Sequence, residues 1–229
     1  MSTEKQRVLE WLFSFLLGFN LFFFCLLYLT LNKQNINIYL INKALANTAL
    51  LLIVVVLFIG PLSRIYNWPD ILVAFRKEIG ITAFLFGMAH TILSLLPQYY
   101  SLRFYFSKFN PSFYSAVIAI IILTILFVLS FEKIISNLPR KLWWQIQYMG
   151  VRTAFIFIII HFLLKNISKW QNWLTAKDTL PDLNLLIFLL CIFLIIFRIT
   201  EYLNRKLSIA VFTVGSLILL GSYIFLLLY

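Results

Sequence analysis

The chain has 229 residues, of which 62% are hydrophobic and only 12% charged. A soluble domain is about half apolar and about a quarter charged, so a single water-exposed globule is excluded and the solvent for most of these side chains is lipid. The net charge of +11 does not indicate nucleic acid. The basic residues lie between long apolar runs rather than on a polar domain, where they meet lipid head groups and set topology.

A transmembrane helix needs about 20 mostly apolar residues. Seven runs qualify: Leu9–Leu31, Ala44–Leu62, Ile79–Pro97, Phe113–Phe131, Ile146–Leu164, Leu183–Phe197 and Ser208–Leu228. The sequence therefore predicts an all-α polytopic transmembrane helical bundle of about seven spans. Six is the alternative, because the sixth run is short. The first run is too long for a signal-peptide core and no small-residue cleavage site follows it, so no cleavable signal is expected. Cys25 and Cys191 each lie inside an apolar run with no metal-type spacing, the pattern of small buried or lipid-facing residues.

With the N-terminus on the cytoplasmic side, twelve Lys and Arg fall inside: Lys5, Arg7, Arg64, Arg76, Lys77, Lys133, Arg140, Lys141, Arg152, Arg198, Arg205 and Lys206. Seven fall outside: Lys33, Lys43, Arg103, Lys108, Lys165, Lys169 and Lys177. The positive-inside bias favours this orientation. Trp143 and Trp144 at the entrance of the fifth span, Tyr99 to Phe106 after the third, and Trp170 and Trp173 in a loop after the fifth are expected in the head-group layers.

Ionisable residues inside spans are the functional pointers in a membrane protein. The two histidines of the chain, His90 and His161, both fall inside spans that run in the same direction. His90 is seven residues before Pro97 and His161 four before Lys165, which puts them roughly 10 Å and 6 Å from the outer ends. Two imidazoles at similar depth on neighbouring helices can form the axial ligand pair of a b-type haem. Equally, they can hydrogen-bond across helices with no cofactor. Gly87, one turn before His90, leaves room on that face for a porphyrin plane. Arg152 lies about 13.5 Å to the cytoplasmic side of His161. It can fork onto a haem propionate or a quinone or flavin phosphate group, or it can snorkel to head groups. A zinc site lacks its three or four ligands, and no Rossmann fingerprint or Walker loop is present.

Three segments carry a resemblance. The second span ends LLLIVVVLFIGPLSRIYN, the third begins FRKEIGITAFLFGMAH, and the fourth and fifth read FVLSFEKIISNLPRKLWWQIQYMGVRTAFIFIIIH. In order and spacing, the stretch from Ala44 to His161 resembles the ferric reductase-like transmembrane domain. It looks most like the short bacterial branch without a fused flavin domain, which includes the haem-binding membrane subunit of the periplasmic methionine-sulfoxide reductase system. The resemblance implies a single transmembrane domain over 1–229 with a haem-binding core at 44–165, flanked by spans at 9–31 and 183–228. It implies that His90 and His161 ligate haem iron in a bacterial inner membrane. The family's inner ligand pair is missing. Tyr148, with Gln147 beside it, stands about 13 residues before His161, and Arg76 or Lys77 about 14 before His90.

At most one bis-histidine haem b is therefore expected, with a flavin or quinone as the means of bridging to the cytoplasmic face. The implied function is a membrane b-type cytochrome, the electron-transfer subunit of an oxidoreductase. It would take electrons from a separate flavin reductase or quinol and give them to an acceptor protein or small oxidant outside. The competing expectation is a haem-free scaffold, assembly subunit or small transporter that keeps the fold without redox activity.

Overall fold

A computed structural model of the protein describes residues 4–32, 35–66, 71–96, 110–136, 138–176 and 180–228. Every regular element among them is helical: α1 (Glu4–Leu31), α2 (Ile38–Tyr66), α3 (Ile71–Ser94), α4 (Pro111–Val128), the one-turn α5 (Glu132–Ile135), α6 (Arg140–Ala176), α7 (Leu183–Leu203) and α8 (Arg205–Leu228). In lipid the backbone has no water to bond, so helices that satisfy their own N–H and C=O groups are the expected solution.

Six of the seven long helices are long and apolar enough to cross a membrane. The exception is α3, not the run at Leu183–Phe197 that the sequence marked as doubtful. The first half of α3 carries Arg76, Lys77 and Glu78 and its second half His90, whereas α7 extends the sixth run to Leu203. Yet α3 is no peripheral helix, since it packs against α1, α2 and α4. It completes the bundle as a seventh long helix whose Glu78 and Thr82 are buried and whose His90 bonds to α2, while Lys77 is exposed.

The centre of the bundle is α2, which touches α1, α3, α6, α7 and α8. Its residues Leu52, Ile53, Val54, Val56 and Leu57 are buried with Leu29 of α1, Ile79 and Ala83 of α3, Phe155 of α6 and Leu194 of α7. In a bilayer the tails are as apolar as leucine, so close packing rather than water exclusion joins the helices. Glycine supplies the close approach at three crossings. A Cβ on Gly18 would lie 2.8 Å from Phe86 of α3, one on Gly150 2.6 Å from Leu126 of α4, and one on Gly215 2.6 Å from Phe193 of α7.

Side chains set the helix starts that later position the site. Asn110 caps α4, its Oδ1 accepting from Phe113 N at 3.2 Å, and Pro111 takes the first helical position, where its missing N–H leaves nothing unsatisfied. Asp182 caps α7 in the same way through Asn184 N at 2.9 Å. At its far end α7 passes to α8 through the extended Asn204 alone. The two helices are antiparallel, since Tyr223 Oη donates to Leu186 O at 2.7 Å.

The two ends differ in chemistry. At one, Glu201 takes Arg64 and Arg198 at 2.8 Å each and Arg205 donates to Ile65 O, tying α2 to the α7–α8 junction. We call this the arginine end. At the other, the lysine end, Lys43 pairs with Asp182 at 3.5 Å. α6 is 37 residues long, about 55 Å, and so exceeds a hydrocarbon core of about 30 Å. This corrects the expectation for Trp170, which lies within α6 rather than in a loop. It is buried and stacked on Phe188 of α7 with centroids 5.0 Å apart. Trp144 keeps the exposed position expected for an interfacial ring, and the segment Tyr99 to Phe106 lies outside the described residues.

Candidate functional site

The two histidines face one cavity. It has a volume of about 320 Å³ and is bounded by α2, α3, α4, α6 and the start of α7, with both His90 and His161 in its wall. That size is at the lower end of the small-molecule range. Its middle is lined by small and apolar side chains, among them Ala46, Ala49, Gly87, Ala116 and Ala119. A Cβ on Gly87 would meet only Ala49 Cβ, at 3.8 Å, so this glycine is not a helix-crossing contact. Its missing side chain instead leaves the His90 face of α3 open to the cavity.

Each imidazole is held through the same atom. His90 Nδ1 donates to Asn42 Oδ1 at 2.8 Å, with Asn42 O at 3.2 Å as a second acceptor. The Asn42 amide is oriented by its own donation from Nδ2 to Ser94 Oγ at 2.9 Å, which turns Oδ1 toward the ring. His161 Nδ1 donates to Ser112 O at 2.8 Å, and Ser112 Oγ lies 3.1 Å from the same nitrogen. Carbonyl oxygens only accept, so the proton sits on Nδ1 in both rings and each Nε2 keeps its lone pair. Neither Nε2 has a hydrogen-bond partner among the described residues.

Two neutral imidazoles with fixed tautomers and unpaired Nε2 atoms have the chemistry of metal ligands. An acceptor bonded to the far nitrogen orients a metal-binding histidine and raises its basicity. Among the described residues no group of three His, Cys, Asp or Glu gathers, so a protein-only zinc tetrahedron cannot be completed there. A planar macrocycle that brings four nitrogens of its own needs only two axial donors and a flat, apolar slot. The residues present fit that requirement.

Asn42 and Ser112 escaped the sequence reading. They lie 48 and 49 residues before their histidines, in different helices, and no local spacing links them. The cysteines behave as expected, buried and unbridged.

A second cavity of about 260 Å³ lies toward the arginine end between α2, α3, α4 and α6. Arg76, Lys77, Gln147 and Tyr148, the four residues standing where an inner ligand pair would be, all line it. Phe84, Phe127, Trp143 and Trp144 add aromatic walls. Gln147 donates to Leu126 O at 3.1 Å and Trp143 Nε1 to Leu129 O at 2.9 Å. Arg152 lines neither cavity. Its guanidinium lies 3.6 Å over the Tyr148 ring, whose plane also stacks on Trp144 at 4.8 Å. The structure thus brings His90, His161 and Gly87 together and places Arg152 apart, in a Trp144–Tyr148–Arg152 stack.

Comparison with known proteins finds one family model, described as the ferric reductase like transmembrane component, matching residues 44–152. The match contains His90 and the second-cavity residues and stops nine residues short of His161. No curated protein matches. With six apolar helices, the chain is an integral membrane protein, and its residues 44–152 match the ferric reductase-like transmembrane family, a redox class.

Proposed function

We propose that the protein is a membrane b-type cytochrome that passes single electrons across the bilayer, with His90 and His161 as axial ligands of one haem. The observation that carries this reading is the pair of Nδ1-anchored rings, Asn42 to His90 and Ser112 to His161, with both Nε2 atoms unpaired at one apolar cavity. Bound there, haem b supplies reversible one-electron chemistry between ferric and ferrous iron. The chain's own part is to fix both tautomers, hold the rings through α2 and α4, and exclude water with the Ala- and Gly-lined middle of the cavity. Gly87 keeps that slot open on α3.

The arginine end is taken as cytoplasmic on the Lys/Arg count. The second cavity, with aromatic walls and Arg76 and Lys77, suits a planar oxygen-bearing group such as a flavin or quinone ring, and a separate flavin reductase or quinol is the donor. Arg152 serves that cavity indirectly, by holding the Tyr148 ring. The acceptor is a protein or small oxidant at the lysine end.

The test is optical. Protein purified from haem-supplied cells gives a low-spin reduced-minus-oxidised spectrum, and His90→Ala and His161→Ala each lose it, with partial recovery on adding imidazole. Haem-free protein, or a spectrum unchanged in both variants, refutes the reading and leaves a haem-free scaffold or transporter.

A further inference from the structure

The histidine cavity is not polar all round. Its middle is apolar, and its charge is gathered at the lysine end. Lys165 and Lys169 follow His161 by four and eight residues, so they stand on the same face of α6 about 6 Å and 12 Å beyond it, and both line the cavity. Lys43 also lines it but is paired with Asp182. No acidic side chain is among the lining residues described, which leaves two cations uncompensated.

Asn47 supplies an independent sign. It is one turn past Lys43 on α2, only 2% exposed, and in the wall of the same cavity. Its Nδ2 is buried with no hydrogen-bond partner among the described residues. A buried donor left unpaired costs about 1–3 kcal/mol, and native structures keep few of them. Among the described residues the chain itself supplies no acceptor for this cavity-wall donor.

We infer that Lys165 and Lys169 form the carboxylate-binding end of this cavity, with Asn47 as a donor deeper in the same wall, and that they take the two propionates of the tetrapyrrole, setting which way round it enters. This rests on the haem reading and goes beyond it, since the axial histidines alone accept the ring in either sense. Charge-assisted bonds of this kind are the stronger ones, although exposed ammonium groups give less than buried ones. A head-group phosphate offers the same anionic chemistry to the two lysines, so the test separates the two sources.

The experiment titrates the full-length protein, in nanodiscs of zwitterionic lipid, with haem and with its dimethyl ester, whose carboxylates are blocked. The low-spin optical band is the readout. Wild type should bind haem about tenfold more tightly than the ester. Lys165→Gln/Lys169→Gln should weaken haem about tenfold and leave the ester unchanged, closing the gap. Asn47→Leu should narrow it by a smaller factor. Unchanged ester binding shows in each case that the variant is folded.

A double variant that still discriminates as wild type does overturns the inference while the haem reading stands. So does a loss that appears only when anionic lipid is added, because the lysines then hold phosphate. Failure of both ligands to give a low-spin band in wild type overturns the haem reading and this inference with it.

Discussion

Replacing Asn42 by leucine tests the core of the site without touching a ligand atom. The side chain keeps its size but loses the Oδ1 that accepts from His90 Nδ1 at 2.8 Å. Losing the acceptor behind a ligating imidazole costs about 10- to 100-fold in metal affinity. The low end applies here, because Asn42 O remains 3.2 Å from the same nitrogen and can take over part of the bond. The expected effect is about a tenfold rise in haem Kd, or about 1.4 kcal/mol. Ser112→Ala is the matched control. It removes Oγ but leaves the backbone Ser112 O, which already accepts from His161 at 2.8 Å, so its cost should stay below about threefold, or about 0.7 kcal/mol. Optical titration of purified apoprotein measures both, and low-temperature electron paramagnetic resonance of the ferric form reports whether the His90 ring has rotated. The reasoning fails if Asn42→Leu binds haem as wild type does, or if Ser112→Ala costs as much as Asn42→Leu.

Three further outcomes follow from the packing. Gly150→Ala puts a Cβ 2.6 Å from Leu126 Cδ2 and 3.2 Å from its Cγ, so the whole side chain must move. A loss of about 1–3 kcal/mol is expected, read as a lower midpoint in thermal unfolding in detergent and partly relieved by Leu126→Ala. Glu201→Gln leaves the Arg198 guanidinium, 14% exposed, without its carboxylate. Unpairing such a group should cost about 1–3 kcal/mol, while the exposed Arg64 contributes little; chemical denaturation in micelles measures the sum. Arg152→Gln removes the cation over Tyr148, worth about 0.5–2 kcal/mol. Because Arg152 is absent from the wall of the histidine cavity, haem Kd should stay within about twofold of wild type in the same titration.

The features legible in the sequence were those written in local pattern. Long apolar runs gave the helices. Their ends are hidden where polar or charged residues interrupt the apolar pattern inside a helix, as at Asn42 and Lys43 of α2 and past Leu164 in α6. A lipid-based criterion stops at the first charge, but a helix continues as long as its backbone bonds and a neighbour covers it, and Trp170 against Phe188 is such a cover. The identity of His90 and His161 was visible because ionisable residues in spans are rare. Their anchoring by Asn42 and Ser112 was not, since it depends on which helix starts stand beside which histidine. The lysine pair at four and eight residues after His161 was readable in spacing. Its meaning needed the cavity, because the same spacing on a lipid-facing stripe is ordinary snorkelling.

Those anchors expose an order that the residues alone conceal. α2 with α3, and α4 with α6, are two helical pairs built alike: each histidine is on the later helix, held by a residue from the first two turns of the earlier one. The sequence shows no repeat, because only the backbone geometry and one hydrogen bond are shared. The same two pairs bound both cavities, and about four turns before each histidine the second cavity receives Arg76 from one pair and Tyr148 from the other. The loss of imidazole there is not a loss of order. The Tyr148 ring is held by Trp144 on one residue spacing of four and by Arg152 on the next, so its place in the cavity wall is fixed. A pocket built from a phenol edge, a guanidinium and an ammonium offers hydrogen bonds to oxygen atoms, whereas the cavity above it offers two nitrogen lone pairs. One architecture thus holds two stacked cavities of different chemistry, and the difference lies in the residue four turns before each histidine.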